Sequence, residues 1–223
     1  MGRIHLGSIL GTTITLDFSF LLVVAFFVVT DVQRAGMRYA LLWIPVLFLS
    51  VLLHELAHAG TIGAFGFGPS QIVLEGIGGV TINQRKARPW QDLIISAAGP
   101  VSSFLLAWGI EALFAATPGL RRDPFFSALL PFLARANIWW GVLNLLPVLP
   151  LDGYGVVRNF LRMILSERTA FVIAIWISML AGAALIVLAL LNRYFLGALL
   201  LLWFVRSSFL QWQLFRGYRR PDD

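Results

Sequence analysis

Apolar residues in this chain fall in long blocks separated by short polar stretches, a pattern of membrane spans and not of an amphipathic soluble domain. A hydrocarbon layer about 30 Å thick takes roughly 20 residues of helix to cross, so the blocks are counted as spans first. They predict membrane elements over residues 13–30, 39–65, 93–116, 137–165, 169–191 and 195–212. The fourth is irregular. Residues 125–133 ahead of it read as interfacial, and Pro147, Pro150 and Gly153 interrupt the run 137–165, which predicts a broken helix. Between the second and third elements, residues 66–83 are rich in glycine and β-formers, with Gln71-Ile72-Val73-Leu74-Glu75 followed by Gly76-Ile77-Gly78-Gly79-Val80-Thr81-Ile82-Asn83. Two short strands joined by a glycine turn fit this segment better than a helix. The expected fold class is an all-α membrane protein of about six transmembrane helices, with a small membrane-associated β hairpin or sheet between the second and third. Residues 1–223 read as one multi-pass domain.

Composition strengthens this picture. Of 223 residues, 59% are hydrophobic and 13% charged, where a soluble domain has about 45–50% apolar and about 25% charged residues. A globule of this size cannot bury such an excess. Residues 1–11 lack the basic start, compact apolar core and small-residue cleavage site of a secretory signal, so the first block is expected to be retained. The absence of cysteine excludes disulfides and thiolate metal ligands. The formal charge of +6 does not point to nucleic acid, because the arginines are spread through loops and form no patch. They serve as topology signals. Arg3, Arg85, Lys86, Arg88, Arg158, Arg162, Arg168, Arg216, Arg219 and Arg220 fall on one side. Arg34, Arg38, Arg121, Arg122, Arg135 and Arg193 fall on the other. The larger set marks the cytoplasm, so the chain is expected in a prokaryotic cell membrane with both termini cytoplasmic.

The candidate chemistry is His54-Glu55-Leu56-Ala57-His58, inside the second block. Positions i and i+4 of a helix share a face, so both imidazoles can reach one cation while Glu55 beside them holds a water. The chain has only three histidines, and burying them with a carboxylate in hydrocarbon is expensive without a partner. A catalytic zinc keeps three protein ligands and one open position. With no cysteine and His5 far off, the third ligand is expected to be a carboxylate: Asp17, Glu111 or Asp152. Depth selects among them. His54 lies about 24 Å along its helix from Arg38, and Asp152 about 25 Å from Arg135 if that stretch is mostly helical. Glu111 lies several turns nearer the outside, and Asp17 near the cytoplasmic start of its helix suits a capping role. Asn144, a rare amide at this depth, could hydrogen-bond backbone freed by the prolines or a peptide in the site.

His54-Glu55-xx-His58 in one span and Asn144-xx-Pro147-xxxx-Asp152-Gly153 in a later one resemble the site-2 protease family of intramembrane zinc metalloproteases. Ala98-Gly99-Pro100 also resembles a glycine-proline element of that family, and the resemblance covers residues 39–165. It implies a helical bundle with a small membrane-associated sheet and one zinc per chain. By that similarity His54, His58 and Asp152 would bind the zinc, Glu55 would be the general base and Asn144 would hold substrate backbone. The partners implied are a transmembrane protein substrate and the lipid bilayer. The regions at 13–30, 169–191 and 195–212 would be helices added to the catalytic core. Two positions depart from the family's pattern, which often has Asp-Gly-Gly where Asp152-Gly153-Tyr154 stands and Asn where Ser103 stands. An alternative from another class is a non-proteolytic membrane zinc-binding protein or transporter, which gives no task to Glu55 and requires a polar path across the bilayer.

Overall fold

The computed structural model describes residues 2–9, 11–76, 78–84 and 86–217. Arg85, Arg219 and Arg220 of the charge count lie outside the described residues, as do Met1, Leu10, Ile77 and residues 218–223 generally. Its elements in chain order are β1 (Arg3–Ile9), β2 (Thr12–Asp17), α1 (Phe18–Ala35), α2 (Met37–Ala40), α3 (Trp43–Ala64), β3 (Gln71–Glu75), β4 (Gly78–Ile82), α4 (Pro89–Ala116), α5 (Pro118–Arg122), α6 (Pro124–Asn144), α7 (Asp152–Arg162), α8 (Glu167–Leu191) and α9 (Phe195–Gly217). Five stretches among the described residues are long and apolar enough to cross a membrane: Met37–Ala64, Pro89–Ala116, Pro124–Asn144, Glu167–Leu191 and Phe195–Gly217. The chain divides into two compact units, one of Met1–Lys86 and Ala98–Val142, the other of Ala87–Ala97 and Leu143–Asp223.

The first unit carries a four-stranded sheet in the order β1-β2-β3-β4. The hairpin expected at residues 66–83 is present as β3 and β4, paired antiparallel with Val73 opposite Val80. Its other side is extended by two strands from the N-terminus. β2 runs parallel to β3, with Ile14 opposite Ile72 and Leu16 opposite Leu74, and β1 pairs antiparallel with β2. Residues 13–17, expected to begin the first span, are therefore strand. The alternation in Thr12-Thr13-Ile14-Thr15-Leu16 explains this, because Ile14 and Leu16 turn to one face and are buried with Phe20, Val24, Leu47, Val51, Ile72 and Leu74. Asp17 closes the strand and caps α1. Its carboxylate accepts from the Ser19 hydroxyl at 2.6 Å and the Ser19 amide at 2.9 Å, with Arg3 at 3.7 Å. These hydrogen bonds, reinforced by Arg3, hold the Asp17 pKa below the usual carboxylate range. Starting α1 at Phe18 leaves it 18 residues, about 27 Å long.

The other departure from expectation is α6. The stretch expected to be interfacial, 125–133, is the first half of a continuous helix running from Pro124 to Asn144. Asp123 caps it, accepting from the amides of Phe125 and Phe126 at 2.9 and 3.1 Å, and Pro131 sits inside it without ending it. Leu129, Leu133 and Ala134 pack with Val46, Ala107 and Ile110 into a second core cluster of this unit. Beside that cluster, fully buried Asn137 donates to Ser50 at 2.9 Å and to the Leu133 carbonyl at 2.9 Å.

In the second unit the predicted break is present: α6 ends at Asn144 and α7 starts at Asp152, with a cis Leu149–Pro150 peptide between them. α8 and α9 pack closely. A methyl group on Gly182 would come within 2.5 Å of Val205, and Ser178 and Ser208 share a buried hydrogen bond of 2.9 Å. Arg162 pairs with Asp92 at 3.2 Å and with Glu167, so part of the positive charge counted for topology is tied into ion pairs.

The Ser50–Asn137 bond yields a test. Ser50→Ala leaves the Asn137 amide one acceptor short in an apolar setting, a loss of about 1 kcal/mol for a buried polar contact between membrane helices. Thermal unfolding in detergent should show the variant less stable than the parent.

Candidate metal centre

α3 is built almost wholly from strong apolar residues, and its three buried polar positions of one stripe, Ser50, His54 and His58, recur every fourth residue. This spacing stacks them on one face. His54 and His58 are 2% and 6% exposed, with ring centroids 4.9 Å apart and planes crossing at 76°. The His54 Nδ1 lies 3.1 Å from the hydroxyl of Ser103, which is itself buried in α4. When Nδ1 donates that bond, Nε2 is left as the free lone pair, the tautomer that a metal requires.

Where the two Nε2 atoms point is set by Gly99. A Cβ on Gly99 would lie 2.3 Å from His58 Nε2 and 2.4 Å from His54 Nε2, so both imidazoles aim at the patch of α4 that lacks a side chain. No L-residue larger than glycine leaves that space open. The donor types suit a zinc ion, which takes imidazole nitrogen and carboxylate oxygen ligands. One ligand atom from each of His54, His58 and Asp152 lies within 4.8 Å of the others, and this is the one such group of three found among the described residues. The other two carboxylates weighed from sequence stand elsewhere, with Asp17 as the cap of α1 and Glu111 exposed on α4.

Asp152 is the first residue of α7 and is half-buried. Amides of the loop before it find partners inside the protein, as apolar surroundings demand. Val148 donates to Leu146, Leu151 to Val148, and the Leu149 amide to the buried Ser178 hydroxyl at 2.9 Å. Gly153 is required by the tightness of this turn, since a Cβ there would lie 2.2 Å from the Leu145 carbonyl. Tyr154, the departure from Asp-Gly-Gly, packs with Leu149, Ala174 and Ile175 and fills the space behind the loop. Asn144 ends α6 and is half-buried.

Glu55 is 5% exposed, one residue on from His54. Its Oε2 accepts from the Thr81 hydroxyl at 2.8 Å, and Gly79 of the same strand lies so close that a Cβ would meet the Glu55 carboxyl at 2.6 Å. Glu55 sits about 14 Å from the Ala64 end of α3 at 1.5 Å per residue. The β4 strand therefore reaches well inside the depth spanned by that helix. Ser103, Gly99, Gly79 and Thr81 were not singled out by chemistry in the sequence. Ser103 and Gly99 were visible only as family-pattern positions, and nothing local marks Thr81.

Comparison with known proteins gives concordant findings. A profile of the family described as peptidase M50B-like matches residues 19–158, more than half of the chain. A zinc metalloprotease of Methanocaldococcus jannaschii is 31% identical over 194 residues, which cover 84% of this chain and 53% of that protein. Rip3 of Mycobacterium tuberculosis, named as a candidate zinc metalloprotease, is 36% identical over 117 residues, covering 52% of this chain and 30% of that protein. The chain thus spans about half, or less, of the length of these curated relatives. The solved structure of a site-2 protease from Methanocaldococcus jannaschii superposes with a TM-score of 0.69 at 26% identity, covering 93% of this chain and 94% of that one.

The Gly99 geometry makes metal content the readout. Gly99→Ala favours helix locally yet places a methyl group where both Nε2 atoms point, so zinc per purified chain should collapse while helicity by circular dichroism holds. Ser103→Ala should weaken zinc affinity by about 10- to 100-fold, the usual cost of removing a ligand's supporting hydrogen bond. Full zinc occupancy in Gly99→Ala would show that the cation does not sit against α4.

Proposed function

The chain belongs to the peptidase M50B-like family, and from that membership we propose that it is a zinc-dependent intramembrane endopeptidase of the HExxH type, cleaving membrane-protein substrates within or near their transmembrane segments. It is a multi-pass membrane protein. The observation that carries the reading is the convergence of two buried imidazoles on Gly99, with a buried carboxylate beside them, in a helix of membrane length. His54, His58 and Asp152 would hold the metal. Zinc bound there would lower the pKa of water toward about 7 and polarise a carbonyl.

The residues of the chain supply the rest. Glu55, next to the ligands and shielded from bulk water, takes a proton on its carboxylate from the attacking water and delivers it to the leaving amine. An intact substrate helix hides its carbonyls, so the substrate segment must unwind before attack. Its freed backbone needs partners at that depth. β4 is an edge strand, paired with β3 on one side, and an extended substrate adding to its other side finds those partners. β3 is central and paired on both sides, so Val80 and not Val73 stands on the receiving edge. Asn144, at the end of α6, has the amide to hold substrate backbone. Residues 39–165 would form the catalytic core, with α8 and α9 added to it.

The orientation follows from charge. Arg3, Arg85, Lys86, Arg88, Arg158, Arg162, Arg168, Arg216, Arg219 and Arg220 outnumber Arg34, Arg38, Arg121, Arg122, Arg135 and Arg193, which argues for both termini in the cytoplasm, with α1 as a further crossing. The chain has no cysteine, so single-cysteine variants can be labelled in intact cells. Cysteine at Arg3 or Lys86 should be protected from an impermeant reagent and cysteine at Arg121 labelled; the reverse pattern overturns the orientation.

Glu55→Gln separates an enzyme from a metal carrier. The substitution should keep zinc and lose cleavage by at least about 100-fold, within the range of general acid-base catalysis. His58→Ala should lose both. A zinc transporter predicts that Glu55→Gln alters little beyond local charge, and wild-type cleavage by a zinc-loaded Glu55→Gln protein would exclude the protease.

A further inference from the structure

Glu55 does not stand free beside the histidines; strand β4 grips it. Successive side chains of a strand turn to opposite faces, so Gly79 and Thr81 share the face toward α3 while Val80 and Ile82 turn away and are 42% and 47% exposed. On the inner face the strand gives two different contacts. At Gly79 the missing side chain lets the backbone close on the carboxyl group, with a Cβ there coming within 2.3 Å of Glu55 Cγ and 2.7 Å of Oε1. Two residues on, the Thr81 hydroxyl donates to Oε2 at 2.8 Å and also lies 3.2 Å from the Glu55 backbone carbonyl. One hydrogen serves both acceptors, and the shorter contact is to the carboxylate, where charge strengthens the bond. One oxygen of Glu55 is thereby tethered, with the Gly79 backbone close against the carboxyl group.

We propose that Thr81 is a positioning residue for Glu55, so that the strand offered to the substrate is also the strand that aims the base. The inference rests on the reading of Glu55 as general base. Its consequence is a mechanical coupling: a peptide that adds to the outer edge of β4 in register stiffens the strand whose inner face holds the carboxylate. A peptide bound without that pairing meets a less ordered base. The Thr81 hydroxyl supplies Oε2 with a partner inside the protein. Removing the hydroxyl releases the carboxylate to other rotamers without touching His54 or His58.

The test compares Thr81→Val, which keeps the shape and deletes the hydroxyl, with Thr81→Ser, which keeps the hydroxyl. The probe is a fluorescent protein fused to one apolar helix interrupted by Pro-Gly, chosen because the wild-type chain cleaves it. Zinc content, thermal unfolding, kcat and KM are measured on each purified variant. Thr81→Val should retain zinc and KM and lose kcat by about 10- to 100-fold, as expected when a hydrogen bond to a charged catalytic group is lost. Thr81→Ser should recover most of that loss. In a Glu55→Gln background, Thr81→Val should add nothing further. Wild-type kcat in Thr81→Val, with Glu55→Gln inactive, overturns the coupling and leaves the base assignment intact. Loss of zinc in proportion to activity, or no recovery by serine, reduces Thr81 to a packing residue. Full activity in Glu55→Gln removes the base assignment itself.

Discussion

Polar groups in an apolar surround must find partners inside the protein, and that constraint orders everything around α3. Hydrocarbon offers no water to an unpaired histidine, carboxylate or amide. Three buried polar residues of α3 accordingly meet polar partners. Ser50 receives the Asn137 amide, His54 meets Ser103, and Glu55 receives the Thr81 hydroxyl. These contacts fix rotamers, and fixed rotamers let two Nε2 atoms point at one place. Glycine at position 99 then keeps that place open, since any side chain would fill it.

The same constraint explains the sheet. An isolated hairpin at this depth would expose two edges, and hairpins alone are at best marginally stable. Here the N-terminal strands cover one edge by placing β2 alongside β3, and the buried face of Ile14, Leu16, Ile72 and Leu74 anchors the sheet on α1 and α3. The hairpin's other edge, on β4, stays open, and β1 forms the opposite edge of the sheet. Exposed edges usually invite unwanted pairing; the proposed cleavage of an unwound segment gives this edge a use.

Behind the loop that carries Asp152, the C-terminal helices contribute more than anchorage. Ser178 of α8 accepts from the Leu149 amide and bonds to Ser208 of α9, and both hydroxyls are fully buried. The short chain of hydrogen bonds holds a turn whose two prolines supply no amide donors of their own. Tyr154 packs beside that turn against Leu149, Ala174 and Ile175. A larger residue than the family's usual glycine is thus accommodated by apolar packing on α8.

The sequence alone determined the membrane class, the spacing of His54, Glu55 and His58, and the interrupted run before α7. Each is a local property: block length sets a span, a four-residue interval sets a helix face, and proline stops a ladder. Only the tertiary structure decided what depends on distant pairing. The strand at residues 12–17 runs straight into an apolar block and so reads as its start, and it becomes a strand through its register with β3, more than fifty residues away. The continuity of α6 through Pro131 is likewise hidden from a local reading, which takes proline as a break, whereas capping by Asp123 and packing on α3 and α4 carry the helix past it. Gly99, Ser103, Gly79 and Thr81 are common residue types whose roles arise from close approach of one backbone to another element's side chains, and sequence spacing contains no record of that approach.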